Sequence, residues 1–198
     1  MKDRFTEAIY KSKRTVFKLK DIGMLTNNRN ADNLKASVNY YVSRGVVRRV
    51  RKGVYVKDPY QPEELAGRIY SPSYISLETV LVKAGVIFQY SSAITAVSYL
   101  SRTIVVDDIE ISYNKIKNSI IVDGRGTISE NNINMATPER AFIDRLYLSK
   151  NYYFDNILTA TGERLLAGAG SISHAHAVEK AKTEYVKYQA RTLSDVEK

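Results

Sequence analysis

Ala31-Asp32-Asn33-Leu34-Lys35-Ala36-Ser37-Val38-Asn39-Tyr40-Tyr41-Val42-Ser43-Arg44-Gly45, followed at once by Val46-Val47-Arg48-Arg49-Val50-Arg51-Lys52-Gly53-Val54-Tyr55-Val56, decides how this chain is read. Leu34, Val38 and Tyr41 recur at i, i+4 and i+7, so a helix over about 31–44 turns one apolar stripe toward a core. Gly45 closes it. At 100° per residue the opposite side collects Arg29, Asp32, Asn33, Ala36, Asn39, Tyr40 and Ser43, hydrogen-bonding groups around one small residue. The valine- and arginine-rich continuation predicts two strands joined by a tight turn at Gly53, with Arg48, Arg49, Arg51 and Lys52 at or beside its tip.

Working toward the N-terminus, Phe5, Ala8 and Ile9 predict a first helix over about 2–10, broken by Lys11-Ser12-Lys13-Arg14. Val16-Phe17-Lys18-Leu19 reads as a short strand, Leu19 and Ile22 anchor a second helix expected to stop at Gly23, and Thr26-Asn27-Asn28-Arg29-Asn30 forms the turn. Helix, strand, helix, turn, helix and basic hairpin is the order of a winged helix-turn-helix. Such a fold lays its third helix in the major groove, where base edges are distinguishable, while its hairpin can straddle phosphates or reach the minor groove. The candidate DNA-binding residues are therefore Arg29, Asn33, Lys35, Asn39 and Tyr40, with Arg48, Arg49, Arg51 and Lys52 on the hairpin. Each feature also has a plain structural reading: striped helices occur on any small domain, charge runs form solvated faces, and Tyr40, Tyr41 and Tyr55 can serve packing. Their coincidence within 60 residues points to DNA.

Charge supports this division. Residues 1–60 carry 15 Lys/Arg and 5 Asp/Glu, residues 61–198 carry 15 and 16, so the +9 of the chain splits into +10 and −1. A segregated field of this kind suits a polyanion, of which nucleic acid is the commonest. An anionic membrane would require an amphipathic helix with Trp, Phe or Leu opposite a cationic face, and none is evident. With 198 residues, 44% apolar and 26% charged, the composition is that of a soluble globular protein of one or two domains. The absence of cysteine excludes disulfides, Cys-based zinc sites, iron–sulfur clusters and thiol catalysis, and fits a cytoplasmic location. No secretory signal or apolar run long enough to span a membrane is expected.

Asp58-Pro59-Tyr60-Gln61-Pro62 places a domain boundary at about 58–64, giving a DNA-binding domain over 1–60 and a second domain over 61–198. In the second, Leu77, Val80, Leu81 and Ala84 predict a helix stopped by Gly85 and begun near Ser71-Pro72 or Ser73, and 91–100 a further helix. Ile104-Val105-Val106, Ile109-Glu110-Ile111 and Ile120-Ile121-Val122 predict a small antiparallel sheet. Thr137-Pro138 caps a helix through about Leu148, with Phe142, Ile143 and Leu146 inward. A hinge at Leu165–Ser171 and a terminal helix over about 175–191 complete an α+β chain whose part beyond residue 150 has no assigned role.

Three segments stand in a familiar relative arrangement: the Gly45–Tyr55 hairpin ending Arg51-Lys52-Gly53-Val54-Tyr55, Ser73-Tyr74-Ile75-Ser76-Leu77-Glu78, and Ala136-Thr137-Pro138-Glu139-Arg140-Ala141-Phe142-Ile143-Asp144. In these the chain resembles the AbiEi-type antitoxins of abortive-infection, type IV toxin–antitoxin systems, over roughly residues 4–150. The resemblance implies a winged helix that binds the operator of its own operon, and a second domain that opposes a nucleotidyltransferase toxin. It also puts an antitoxin surface at Glu139 and Arg140. Direct contact with the toxin and a dimer on the DNA are left open.

Enzymatic readings find little. His174-Ala175-His176 lacks further metal ligands, so neither a metal site nor a cofactor is expected. Asp107-Asp108 between β-branched runs reads as a turn. Gly124-Arg125-Gly126 and Gly168-Ala169-Gly170 lack the context of a phosphate loop, and the glycine–serine plus paired-aspartate signature of a nucleotidyltransferase is missing. The expectation is a non-catalytic repressor and antitoxin. Its rivals are a stand-alone winged-helix transcription factor with a ligand-sensing or dimerising domain, and a nucleic-acid-processing enzyme with a basic docking module.

Overall fold

The computed structural model describes residues 3–28, 30–149 and 152–156. Arg29, His174, His176 and the segments expected as hinge and terminal helix lie outside the described residues.

The N-terminal region runs α1 (Arg4–Lys11), β1 (Val16–Lys18), α2 (Leu19–Leu25), α3 (Ala31–Ser43), β2 (Arg48–Arg51) and β3 (Val54–Val56). Short polar side chains set the helix starts by satisfying the first free amides: the Asp3 carboxylate accepts from Phe5 N–H at 3.3 Å, and Asn30 Oδ1 from Asp32 and Asn33 N–H at 3.1 and 3.0 Å. Gly45, at φ +70°, takes the left-handed position that ends α3. Gly23 does not end α2, which continues to Leu25. It permits close approach instead: a Cβ there would lie 2.9 Å from Leu34 Cδ2 and 3.0 Å from the Asn28 carbonyl oxygen, so α2 and the turn before α3 touch where only a hydrogen fits.

β1, β3 and β2, in that spatial order, form an antiparallel sheet. Because strand side chains alternate, its two faces serve two cores. Phe17 and Tyr55 join Phe5, Ile9, Ile22, Leu34, Val38 and Val47 on the helical side. Val16, Val54 and Val56 belong to the core of the second region. The boundary expected at 58–64 is therefore a change of composition across a continuously packed interior. Polar contacts reinforce it: buried Glu64 accepts from Thr15 N–H and Oγ1 at 2.9 and 2.6 Å, and Asp21 pairs with Arg14 and Arg68 at 3.2 and 3.1 Å.

The second region contains α4 (Pro62–Ile69), β4 (Ser73–Ile75), α5 (Glu78–Lys83), β5 (Ile94–Ser98), β6 (Arg102–Val106), β7 (Ile109–Lys115), α6 (Asn118–Ile121), β8 (Thr127–Glu130), β9 (Ile133–Ala136) and α7 (Pro138–Leu148). Its sheet is larger than the small antiparallel one expected: six strands ordered β6-β7-β5-β4-β9-β8, with β4/β9 and β5/β7 parallel and the other pairs antiparallel. Two predicted elements change type. The segment 91–100 holds β5, every residue of which is buried, the polar Thr95 and Ser98 included, as suits a central strand covered on both faces. Ile120-Ile121-Val122 falls on α6 and its C-cap and pairs with no strand.

The motifs at 73–78 and 136–144 meet inside this region. Arg140 Nε donates to Asp144 Oδ1 at 3.1 Å, and its Nη2 donates to the Tyr74 hydroxyl at 3.0 Å and to the Ile120 carbonyl at 2.7 Å. Tyr74 and Ser76 hydroxyls donate to Asp144 Oδ2 at 2.9 and 2.8 Å. Burial dominates the carboxyl's surroundings and raises the Asp144 pKa, while Arg140 and the hydroxyl donors oppose the rise. The placement of Arg140 on an exposed antitoxin surface is thus corrected. It is 5% exposed and joins α7 to β4, whereas Glu139 is exposed. Between Ser76 and α5, buried Leu77 holds φ 59° and ψ −136°, a conformation costly for a residue with a Cβ and maintained by this packing.

Candidate nucleic-acid interface

The helical stripe that packs α3 fixes what the helix shows to solvent. With Leu34 and Val38 buried, Asp32, Asn33, Lys35, Ala36, Asn39 and Tyr40 are all exposed. Asn33 and Asn39 make no side-chain hydrogen bond to the described residues, so amides that can each donate and accept face water. Lys35 lies 3.4 Å from Asp32 in an exposed pair one helical turn long, a contact weak enough to yield to another anion.

The aromatic residues divide sharply. Tyr41 stacks on Phe5 with ring centroids 3.8 Å apart and its hydroxyl bonds Asp3; burial first, and then this bond, raise its pKa to about 12. Tyr55 is buried in the sheet. Tyr40 instead remains 54% exposed, edge-on to Tyr41, with the Arg44 guanidinium 5.8 Å from its ring centroid. Arg44 was not among the sequence candidates because it follows the predicted face; its i, i+4 relation to Tyr40 was the available signal. Exposed Lys20 on α2, beside the α2–α3 groove lined by Met24, Asn27 and Asn28, was missed as well.

The four hairpin cations are not equivalent. Arg49 and Lys52 are exposed and make no ion pair among the described residues. Arg48 is held by two carboxylates: Nε and Nη2 donate to Asp58 at 3.0 Å each, and Nη1 lies 2.8 Å from Asp107. Asp107 also accepts from the Tyr60 hydroxyl at 2.9 Å. The pairing raises the Arg48 pKa and lowers that of Asp58; in Tyr60 burial, then the hydrogen bond to Asp107, raises the phenol to about 12. Arg51 points to Tyr70, donating to its hydroxyl at 3.3 Å with the guanidinium 5.7 Å from the ring centroid. The four cations, given one role by the sequence, thus differ in their surroundings: Arg48 is paired with Asp58 and, from the second region, Asp107, while Arg51 keeps its charge but leans on the uncharged Tyr70.

Elsewhere, Asp107 and Asp108 form the β6–β7 turn at φ 49° and 62°, as their sequence implied, and no group of three or more potential metal ligands occurs among the described residues. An open apolar cavity of about 400 Å³ lies against α5, the β8–β9 hairpin and the start of α7, lined by Val80, Ala84, Ile128, Ile133, Met135 and Pro138. No helix among the described residues is long and apolar enough to cross a membrane. No protein-family model and no curated protein matches the sequence.

Proposed function

We propose that this protein is a DNA-binding repressor of the winged helix-turn-helix kind and acts as the antitoxin of a type IV toxin–antitoxin pair. The observation that carries the DNA reading is the exposed polar face of α3, Asn33 to Tyr40, set beside the unpaired Arg49 and Lys52 within residues 1–60, which carry +10. In this reading α3 meets base edges in the major groove of operator DNA, and the hairpin sits over phosphates. The close α2–α3 crossing at Gly23 suits a helix-turn-helix. The antitoxin part rests on the sequence resemblance alone. The meeting of two of its motifs in one buried network gives them a structural purpose and leaves Glu139 as the exposed member with which to probe toxin neutralisation.

The test is binding of the full chain to duplexes of its own upstream region and to random duplexes across a salt series. Expected are a preference for the upstream sequence and a steep fall with salt. Arg49→Ala is expected to weaken all duplexes alike and to lower the log–log salt slope by about one, since it removes a phosphate contact. Asn33→Ala or Asn39→Ala is expected to narrow the operator-to-random gap by about 1–3 kcal/mol through a lost base contact. Salt-independent binding or no binding would overturn the DNA reading. For the antitoxin reading, co-expression with a nucleotidyltransferase encoded beside it is expected to restore growth, and Glu139→Ala to reduce that protection without altering DNA binding. The stand-alone transcription factor is favoured by one observation, the apolar cavity beside α5, because it offers a small ligand a place to bind.

A further inference from the structure

The hairpin's position and its charge are set by different groups. Position comes from burial: Val54 and Val56 lie in the second core and Val50 packs against it, so the hairpin stays seated whatever Arg48 does. Charge is set by Asp58, just after β3, and by Asp107, at the tip of the β6–β7 turn. Arg48 thus faces two carboxylates, and a bidentate pair extended into a network retains its geometry better than an isolated surface ion pair. Arg48 remains 45% exposed and Asp107 35%, so the site borders the solvent from which a polyanion would approach. Asp107 is the component that belongs wholly to the second region, exposed at the tip of a turn whose flanking Val106 and Ile109 anchor it to the core.

We propose that Asp107, with Asp58, is a charge latch by which the second region sets how many cations the hairpin offers to a polyanion. Closed, the latch neutralises Arg48 and leaves Arg49, Lys52 and Arg51, whose partner Tyr70 is uncharged, as the hairpin's uncompensated charges. A partner that draws the β6–β7 turn aside releases Arg48 to phosphate and strengthens DNA binding without moving α3. Asp107 is a positioning residue: it acts through Arg48 and touches no DNA. The inference rests on the DNA-binding reading above.

Four full-length variants test it on a random-sequence duplex between 50 and 200 mM salt: Asp58→Asn/Asp107→Asn, the same pair with Arg48→Ala, Arg48→Ala alone, and Asp108→Asn. The last removes a neighbouring, exposed carboxylate at the same turn without freeing a cation, and asparagine tolerates the left-handed backbone at 107 and 108. The double asparagine variant is expected to bind more tightly than wild type at low salt. One added phosphate contact steepens the log–log slope by about 0.9, so its advantage is expected to shrink about threefold across this salt range. Arg48→Ala is expected to match wild type within twofold, to abolish the gain when added to the double variant, and Asp108→Asn to leave the slope unchanged. The latch is overturned if the double variant keeps the wild-type slope, if Arg48→Ala weakens binding as Arg49→Ala does, or if Asp108→Asn reproduces the gain. If wild type binds no duplex, the DNA reading has failed; elution from immobilised heparin then tests the latch, which requires the double variant to elute at higher salt than wild type and Arg48→Ala with it, and coelution of the double variant overturns it.

Discussion

The two regions of this molecule differ in where most of their charge goes, although buried Asp21, paired with Arg14 and Arg68, is an exception in the first. Residues 3–56 keep an apolar interior of Phe5, Ile9, Phe17, Ile22, Leu34, Val38, Val47 and Tyr55 and present their polar groups outward along α3 and the hairpin. The second region turns some of its charge inward: Arg140 and Asp144, 5% and 2% exposed, are held by Tyr74 and Ser76 beneath α7. The difference teaches that a charged residue reports on function only after its partners are known. An unpaired exposed cation is available to a ligand, whereas a buried satisfied pair ties one element to another.

The sharpest way to break this contrast is to remove one member of the inward pair. Asp144→Ala leaves Arg140 buried without its carboxylate and is expected to destabilise by about 3–5 kcal/mol, read from urea unfolding. Arg49→Ala is expected to leave the unfolding midpoint in place, because no ion pair is lost. Equal effects of the two would erase the distinction drawn here. Next in size is Gly23→Val, which drives a branched side chain into Leu34 and the Asn28 carbonyl and is expected to cost about 1–3 kcal/mol and loosen the α2–α3 crossing. Asn30→Ala, which strips the α3 cap, is expected to cost about 1 kcal/mol in the same assay.

The smallest effect is acid release of Arg48. Asp58 has its pKa lowered below the ordinary 3.8, chiefly by its hydrogen bond to Arg48, so its contribution to stability is fully present above that value and is lost as pH falls through the lower folded one. Asp58→Asn is expected to flatten the stability profile in that acid window alone. An effect near neutral pH would show that another group titrates there.

Much of the N-terminal architecture was legible in the sequence because its signals are local. The stripe Leu34, Val38, Tyr41, the Gly45 stop and the Gly53 turn each act within one turn or one hairpin, and the structure keeps them. The second region resisted because its strands pair across long separations. β5 joins β4 on one side and β7 on the other, and Ile94–Ser98, buried on both faces, carries no period-2 alternation to distinguish it from helix. Its five-residue length and β-branched content were the usable clues. In the candidate interface, the helix face was readable but the hairpin was not: nothing local to Arg48 announces Asp107, 59 positions away and on another sheet. Arg140 was misplaced because an arginine after a helix cap suggests surface, though its i, i+4 spacing to Asp144 already allowed the pair.

β3 is hydrogen-bonded to a strand on each side, and its side chains are covered above and below by two different interiors. The amide protons of Val54, Tyr55 and Val56 consequently have no local opening by which to meet solvent; either half of the molecule shields them while the other fluctuates. They should be the slowest to exchange with deuterium, and their exchange free energy should equal that of unfolding the whole described chain.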